Sequence, residues 1–316
     1  MGRLGKRKRV GLALGSGGAR GWAHLGVLQA LKEKNVQVDF VAGTSMGSLV
    51  GAFFAAGRDD ALRDLADHLD WRRLRQFFWE ISMSRSGLTD GRRLLEETQK
   101  LLGVGEFREL RLPFRAVATD LGTGGEVVLG SGHLLRAVRA SISIPGLFSP
   151  VWMDHRLLVD GGLVNPVPVS VARAMGAEIV VAVDVSQGIE RGKNPAAPKA
   201  KAPEPPRGPL LLPKPTAGEE RAGPVQAVER FLAEIEKKTR RMRASVAAAA
   251  AARPALMDVL VQSVRIAEAR IALARRQAEP PDVLVEPKVG GIGTMEFQRA
   301  QEAIAAGYAA ALKALD

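Results

Sequence analysis

The sequence predicts an α/β protein with a mostly parallel sheet that is covered by helices on both faces. Two observations carry this prediction. Apolar segments of strand length alternate with segments of helical period through the first half of the chain. In addition, two of the strands run directly into glycine-containing turns that open a helix. Parallel strands need crossover connections, which are usually helices, and those helices then cover the sheet.

The predicted elements follow one another in regular alternation. A strand at Val10–Leu14 precedes a helix over Trp22–Lys34, and a strand at Val36–Ala42 precedes a helix over about Ser48–Ala56. Later strands are predicted at Phe114–Thr119, Leu157–Val159, Ile179–Val183 and Asp282–Glu286, and later helices at Pro168–Gly176, Ala255–Ala278 and Met295–Leu315. One face of the helix Ala255–Ala278 is apolar and is expected to be buried; it comprises Leu256, Val259, Leu260, Val264, Ala267 and Ile271.

Composition divides the chain into four parts. They are a basic N-terminal arm at residues 1–9, an α/β core at residues 10–186, a Pro-rich insert at residues 187–226, and a mainly helical C-terminal part at residues 227–316 that packs on the core. The insert holds nine of the eighteen prolines and no aromatic residue. Such a segment cannot bury enough surface to offset its ordering entropy, so we expect it to be disordered.

The charge balance indicates an anionic partner. Lys and Arg number 45 against 34 acidic residues, which gives a net charge of +11. The excess concentrates in the N-terminal arm and in a second basic group at residues 240–243. No groove-reading motif accompanies it, so we expect an anionic membrane surface and not nucleic acid. The chain has no cysteine, which excludes disulfides, thiolate metal sites and cysteine nucleophiles.

The sequence also predicts where the protein acts. The basic start is followed by Val10–Leu14 and then by glycines, whereas a signal peptide needs an uninterrupted apolar stretch there. No apolar run approaches the ~20 residues that span a bilayer. We therefore expect a cytoplasmic protein that contacts the inner face of the membrane peripherally. Three consecutive aromatics, Phe77–Trp79, cannot all face inward and are candidates for that contact.

The segment Gly43–Gly47 reads GTSMG and points to a serine nucleophile. A strand ends just before it and an apolar helix follows, which is the context that a nucleophile elbow requires. The small residues allow a sharp turn that raises the hydroxyl of Ser45 above the sheet, and the N-terminus of the helix favours negative charge nearby. The alternative is an ordinary glycine-lined turn between strand and helix.

A second glycine-rich segment, Gly15–Gly21, also lies between a strand and a helix. Such loops present backbone N–H groups to an anion. A dinucleotide fingerprint would need glycine at the sixth position counted from Gly15, where this chain has Arg20. With a nucleophile nearby, Gly17 and Gly18 are better interpreted as an oxyanion hole. Arg20 would brace the loop or contact a phosphate, and a purely structural turn stays open.

The partner of Ser45 is predicted to be an aspartate. An α/β-hydrolase orders its triad as serine, acid and histidine, but all four histidines (His24, His68, His133 and His155) precede Asp160. Asp160 ends the apolar strand Leu157–Val159, so its carboxylate should lie at the carboxyl edge of the sheet, where ligands bind. There it can act as a general base for the serine. The alternative is a common Asp-Gly turn.

Together these motifs resemble those of the patatin-like phospholipase family. The glycine loop with its arginine, GTSMG, and the DGG at Asp160, Gly161 and Gly162 occur in the family's order. The flanking segments WAHLGV (22–27), ASISIP (140–145) and DGGLVNPVP (160–168) are similar to its bacterial branch. The resemblance is strong from about residue 10 to residue 186 and weaker from residue 282 to the C-terminus.

The resemblance implies a three-layer α/β/α fold with C-terminal helices. It also implies calcium-independent hydrolysis of lipid acyl esters, of the phospholipase A, lysophospholipase or esterase type, through a Ser-Asp dyad and an acyl-enzyme, without metal or cofactor. Ser45 matches the nucleophile, Asp160 the base, and Gly17 and Gly18 the oxyanion hole. The supporting positions are Gly15, Arg20, Gly21, Gly43, Gly47, Gly161 and Gly162. Ser16 departs from plant patatins, which have another glycine there. The alternative is a catalytically silent lipid-binding or adaptor protein on the same fold.

Overall fold

An eight-stranded mixed sheet lies at the centre of the described residues. The computed structural model describes residues 7–68, 98–186 and 256–316. The strands are β1 (Val10–Leu14), β2 (Phe40–Thr44), β3 (Phe114–Asp120), β4 (Glu126–Leu129), β5 (Val151–Met153), β6 (Arg156–Asp160), β7 (Ile179–Val183) and β8 (Val283–Val285). Strands β3, β2, β1, β7 and β8 are neighbours in this order and run parallel, whereas β4, β5 and β6 form antiparallel pairs. The prediction of a mostly parallel sheet is confirmed.

Helices pack on both faces of this sheet. They are α1 (Ala23–Glu33), α2 (Met46–Ala56), α3 (Asp59–Asp67), α4 (Leu134–Ser141), α5 (Val169–Ala174), α6 (Leu256–Ala278) and α7 (Ala300–Leu315). Successive residues of a strand point to opposite faces. Leu12 and Leu14 accordingly enter the larger core, with α1, α2 and α7, while Ala13 enters a smaller core with α5. The three-layer α/β/α arrangement is confirmed.

Most predicted boundaries agree with the structure, and the differences have local causes. Strand β2 begins at Phe40 and not at Val36. The reason is that Asn35 takes a positive φ of 53° and the N–H of Val36 donates to the carbonyl of Leu31, so these residues complete the end of α1. Strands β4 and β5 escaped prediction because they are only four and three residues long, too short to show a period.

The apolar face predicted for helix α6 is wrong in part. Val264 and Ile271 are half-buried, but Leu260 is 43% exposed, and Ala267 is also exposed. The buried positions are instead Arg265, Ala269 and Ala272. The helix turns small and charged side chains inward because it covers a polar part of the core, described below, and not an apolar one.

Some predicted features lie outside the described residues. They are residues 1–6 of the basic arm, the aromatic segment Phe77–Trp79, the insert at residues 187–226 and the basic helix expected from Val228. Within the described ranges, no helix is both long enough and apolar enough to cross a membrane.

Strands β2 and β6 share one edge of β3, and their carboxyl ends meet there. Val117 of β3 pairs with Thr44 on one side and with β4 on the other, while the next residue, Ala118, pairs with Asp160 and again with β4. Since β4 occupies one edge of β3 at both positions, Thr44 and Asp160 must share the other edge. Strand β2 runs parallel to β3 and β6 runs antiparallel, so the two chains approach each other end to end.

The sequence placed Asp160 at the carboxyl edge of a set of parallel strands, and this explanation is wrong. The aspartate does lie at the end of its strand, but that strand runs against the parallel set and descends toward β2. Its carboxylate therefore meets the turn after β2 because two opposed strands share an edge, and not because parallel strands end together.

Helices α1 and α7 pack at backbone distance through two glycines. A Cβ built on Gly26 would lie 1.9 Å from the carbonyl oxygen of Ile304, and a Cβ built on Gly307 would lie 1.9 Å from the carbonyl oxygen of Ala23. These distances leave no room for a methyl group. The C-terminal helix α7 is thereby fitted to α1, the helix that follows the glycine loop.

We expect Gly307→Ala to lower the free energy of unfolding by about 1–3 kcal/mol, as overpacked cores do. Alanine favours helices more than glycine does, so helix propensity alone would stabilise this variant, and a loss of stability must come from the steric clash. Urea denaturation measures it, with Gly291→Ala as the control, because a Cβ at Gly291 meets no atom within 4 Å. Equal stabilities of the two variants would contradict the tight packing of α1 and α7.

Candidate active site

Ser45 occupies a strained turn between β2 and α2. Its backbone has φ 55° and ψ −124°, a region that residues other than glycine rarely adopt. The turn is possible because its flanking residues lack side chains. A Cβ on Gly43 would lie 2.4 Å from the carbonyl oxygen of Gly47, and a Cβ on Gly47 would lie 2.1 Å from that of Leu14. This is the conformation that a nucleophile elbow requires.

Ser45 and Asp160 are joined by a short hydrogen bond. The Oγ of Ser45 donates to Oδ2 of Asp160 over 2.6 Å, although the two residues are 115 positions apart in sequence. Both side chains are buried, with 3% and 0% exposure respectively. The backbone on each side is fixed, since the N–H of Ser45 donates to Oγ of Ser141 and the N–H of Asp160 donates to the carbonyl of Ser143. The pair is thus preorganised by the sheet.

The environment of Asp160 favours proton uptake. Burial raises the pKa of its carboxyl well above the usual value, and the nearby Glu268 carboxylate raises it further. Hydrogen bonds from Ser45 and from the N–H of Gly162 oppose this rise in pKa but are outweighed. An aspartate with its ordinary pKa of about 3.9 is a weak base. Burial therefore makes this carboxylate a stronger base than an exposed aspartate.

The glycine loop beside Ser45 leaves two N–H groups available. The N–H groups of Gly15, Ser16 and Ala19 are used, since they donate to the carbonyls of Val183, Pro166 and Thr294. By contrast, neither Gly17 nor Gly18 donates a backbone hydrogen bond to any residue that the structure describes. Both line a narrow cavity together with Ser45. The two predicted oxyanion-hole residues therefore line the same cavity as Ser45, and no carbonyl of the described backbone accepts from their N–H groups.

Arg20 braces this loop from within the protein. Its Nε donates to the carbonyl oxygen of Gly17 over 3.1 Å, and the side chain is only 2% exposed. Burial, followed by repulsion from Arg265, lowers its pKa to about 9. Its Nη1 is buried without a hydrogen-bond partner among the described residues. Of the two roles considered for Arg20, bracing is the one that this contact shows.

Residues 12–173 match the family model of patatin-like phospholipases. The chain belongs to the patatin-like phospholipase family. It is 34% identical over 337 aligned positions to an NTE family protein of Mycobacterium tuberculosis, covering 98% of this chain and 91% of that protein. The lysophospholipase NTE1 of Pyricularia oryzae is 34% identical over 193 residues, which are 58% of this chain and 13% of that protein.

The crystal structure of VipD from Legionella pneumophila was compared with this chain. It superposes on 98% of this chain and 66% of its own with a TM-score of 0.46 and 14% sequence identity.

The remaining glycines of the patatin-like motifs mark places where a side chain would collide. A Cβ on Gly21 would lie 2.3 Å from Cγ of Met46, and one on Gly161 would lie 2.2 Å from the carbonyl oxygen of Val117. Gly162 is different, because its Cβ would meet a carboxylate, Oε1 of Glu268, at 2.3 Å. The glycines of both loops thus hold the backbone close to the Ser45–Asp160 pair.

Sequence reasoning missed the contribution of helix α6 and of the segment before α7. Arg265 and Glu268 of α6 line the same cavity as Ser45, and so does Thr294. No motif surrounds them, and the apolar face predicted for this helix does not include them. The signal available in the sequence was weak: Arg265 and Glu268 are three residues apart and so lie on one face of the helix.

His24 lies close to the patatin-like glycine loop and is bound to its backbone. Its Nε2–H donates to the carbonyl oxygen of Gly15 over 2.8 Å, and the ring is fully buried. Burial lowers its pKa from 6.5 to about 4. The ring is therefore a neutral structural donor. Among the described residues, no group of three or more His, Asp or Glu side chains is arranged to hold a metal ion.

Replacing His24 tests this interpretation through the pH dependence of stability. The unfolded chain takes up a proton on His24 below pH 6.5, whereas the folded chain does so only near pH 4. The free energy of unfolding that depends on His24 therefore falls as the pH is lowered through that window. In His24→Gln, whose amide can still donate to Gly15, the loss between pH 7 and pH 4 should be smaller by about 3 kcal/mol. Urea unfolding at several pH values measures it, and parallel curves for the two proteins would contradict a buried neutral ring.

Proposed function

We propose that this protein is a serine acyl hydrolase that cleaves carboxylic ester bonds of lipids, as phospholipase A, lysophospholipase or esterase, through the dyad Ser45–Asp160. The observation that carries the proposal is the 2.6 Å hydrogen bond from a strained, buried serine to a buried carboxylate. Membership of the patatin-like phospholipase family and the similarity to a lysophospholipase support lipid esters as the substrate class.

The first half of the reaction acylates Ser45. As Oγ attacks the ester carbonyl carbon, its proton moves along the existing hydrogen bond to Oδ2 of Asp160. The carbonyl oxygen becomes an oxyanion and accepts hydrogen bonds from the N–H groups of Gly17 and Gly18. The tetrahedral intermediate then collapses, the C–O bond to the alcohol breaks, and Asp160 returns the proton to the leaving alcohol or lysolipid.

The second half releases the fatty acid. Water attacks the acyl-Ser45 carbonyl and gives a proton to Asp160, which passes it to Oγ when the acyl bond breaks. Charge on the oxyanion is met in both halves by backbone N–H groups and by the helix α2 that begins after Ser45. Because each developing charge has a partner within the protein, we propose that hydrolysis is independent of calcium.

Removing either member of the dyad should abolish activity. Ser45→Ala and Asp160→Asn should each lower kcat by about 10⁴–10⁶-fold on p-nitrophenyl esters and phospholipids, and the double variant should be little worse, because residues that act as a unit are not additive. Asp120→Asn is the matched control, since Asp120 is also buried and holds the N–H of Gly122. Near-wild-type turnover by folded Asp160→Asn would refute its role as base.

Labelling of the serine, together with the hydrolysis assay, tests the catalytically silent alternative. A fluorophosphonate that reacts with activated serines should label the wild type and not Ser45→Ala. Absence of both labelling and hydrolysis in the wild type would indicate a lipid-binding or adaptor protein on this fold.

We further propose that the protein contacts anionic lipid peripherally. The contact surface comprises the β5–β6 hairpin and the residue that follows β3. Trp152 of β5 is 64% exposed and Leu121, just after β3, is 53% exposed. They form one apolar row, because Trp152 pairs with Leu157 and the N–H of Leu121 donates to the carbonyl of Leu157. Exposed tryptophans favour the membrane interface. Arg156 is exposed on the same hairpin and supplies positive charge toward head groups.

Polar substitution of this row should weaken vesicle binding. Leu121→Ser/Trp152→Ser should bind phosphatidylglycerol vesicles several-fold more weakly than the wild type in co-sedimentation, since about 0.025 kcal/mol is lost per Å² of apolar surface. Hydrolysis of a water-soluble ester should be unchanged. Val128→Ser is the control, because Val128 is 46% exposed but lies on the opposite edge of β3. Equal binding by all three proteins would exclude the row as a lipid contact.

A further inference from the structure

Glu268 brings a second carboxylate to the active site from outside the sequence motifs. It lies on helix α6, whose inward positions cover the cavity that Ser45 and Gly18 line. The proposed mechanism gives it no role, and yet it is half-buried in the cavity that Ser45 lines. A carboxylate is retained in such a place only with specific partners, because burying an unpaired charge is costly.

Two contacts fix the carboxylate of Glu268. Its Oε2 accepts a hydrogen bond from Oγ of Ser16 over 3.2 Å. Ser16 is the loop position that departs from the glycine of plant patatins, so the departure supplies a partner for α6. The other oxygen, Oε1, occupies the space where a side chain of residue 162 would be. A Cβ built on Gly162 would lie 2.3 Å from this oxygen and 3.2 Å from Oδ1 of Asp160.

The two carboxylates therefore face each other across one glycine. The other charged groups around them come from three elements: Arg20 from the glycine loop, Arg265 from α6 itself, and Asp184 after β7, which acts on Arg20. The two guanidinium groups favour ionised Glu268, as does Ser16, whereas burial disfavours it. Burial has the larger effect and raises the pKa of Glu268 to about 6.

We propose that Glu268 is a positioning residue of the active site whose negative charge, held by Ser16 and directed at Asp160 across Gly162, controls when the base of the dyad is ionised. This inference rests on the proposed function of the dyad. Glu268 acts through Asp160, by repulsion between like charges.

The sign of the effect follows from the charges around Asp160. The two arginines and Ser16 stabilise the Glu268 anion, and the negative charge of Glu268 raises the pKa of Asp160. Asp160 is thereby a stronger base than an isolated buried aspartate. Replacing Glu268 with glutamine removes the opposing negative charge, while the positive charges of Arg20 and Arg265 stay in place. Ionised Asp160 is then favoured, so its titration must move to lower pH.

The test follows the protonation of Asp160 directly. Protein labelled with ¹³C in its aspartate carboxyl groups is titrated by NMR, and the signal of Asp160 is assigned from its absence in Asp160→Asn. In Glu268→Gln, whose amide oxygen can still accept from Ser16, the midpoint should fall by about 1–3 pH units, the usual effect of a charge at this range. The acid limb of kcat/KM should move in the same direction.

Two further variants keep the outcome decisive. Glu279→Gln is the matched control, because Glu279 is exposed just beyond the end of α6 and loses the same charge. Glu268→Asp retains the charge on a shorter side chain and should give a smaller fall in the midpoint. A midpoint in Glu268→Gln no lower than in Glu279→Gln overturns the proposal; if Glu268→Gln does not fold, a midpoint in Glu268→Asp equal to that of the wild type does so.

The NMR readout needs no turnover, so it separates the two hypotheses. A shifted midpoint in a protein that hydrolyses no ester would refute the proposed function and support the role of Glu268. Hydrolysis with an unshifted midpoint would do the reverse. A purely structural role for Glu268 would lower the free energy of unfolding and leave the midpoint in place.

Discussion

One edge of strand β3 determines where Ser45 and Asp160 meet. Strand β2 rises along the lower part of that edge and β6 descends along the upper part, so Ser45 and Asp160 stand at two strand ends that are held by the same backbone ladder. Many serine hydrolases orient a histidine with a third side chain. Here the sheet itself fixes the direction of the carboxylate, which accounts for a hydrogen bond of 2.6 Å between residues with no mobile connector between them.

The glycine loop and helix α6 surround that bond. The loop uses three of its N–H groups to attach itself to neighbouring backbone, and no described backbone carbonyl accepts from those of Gly17 and Gly18. Helix α6 closes the same space with Arg265 and Glu268, and its apolar residue Leu260 consequently lies toward solvent. Ser45, the glycine loop and helix α6 therefore line one small cavity, in which charges act strongly because little solvent screens them.

The sequence was a good guide to the parts of this fold with a strong local signal. Strand–turn–helix order located Ser45 and the glycine loop, because small residues at tight turns are required by sterics. The absence of a histidine after Asp160 directed attention to the aspartate, which the structure places against Ser45. Strand direction could not be read from Leu157–Val159, since an apolar run of that length has the same pattern in either direction. Glu268 was also beyond reach, because its partners Ser16 and Gly162 are brought to it by tertiary packing alone.

The empty side-chain position at Gly162 has a consequence for how such chains diverge. Its space is filled by the carboxylate of a residue more than a hundred positions away, so residues 162 and 268 form one steric unit. A methyl group at 162 displaces the glutamate, and a shorter residue at 268 removes the reason for glycine. The residues that each position tolerates therefore depend on the other position. The second glycine of the DGG motif is required because of a residue on helix α6, which lies outside every motif.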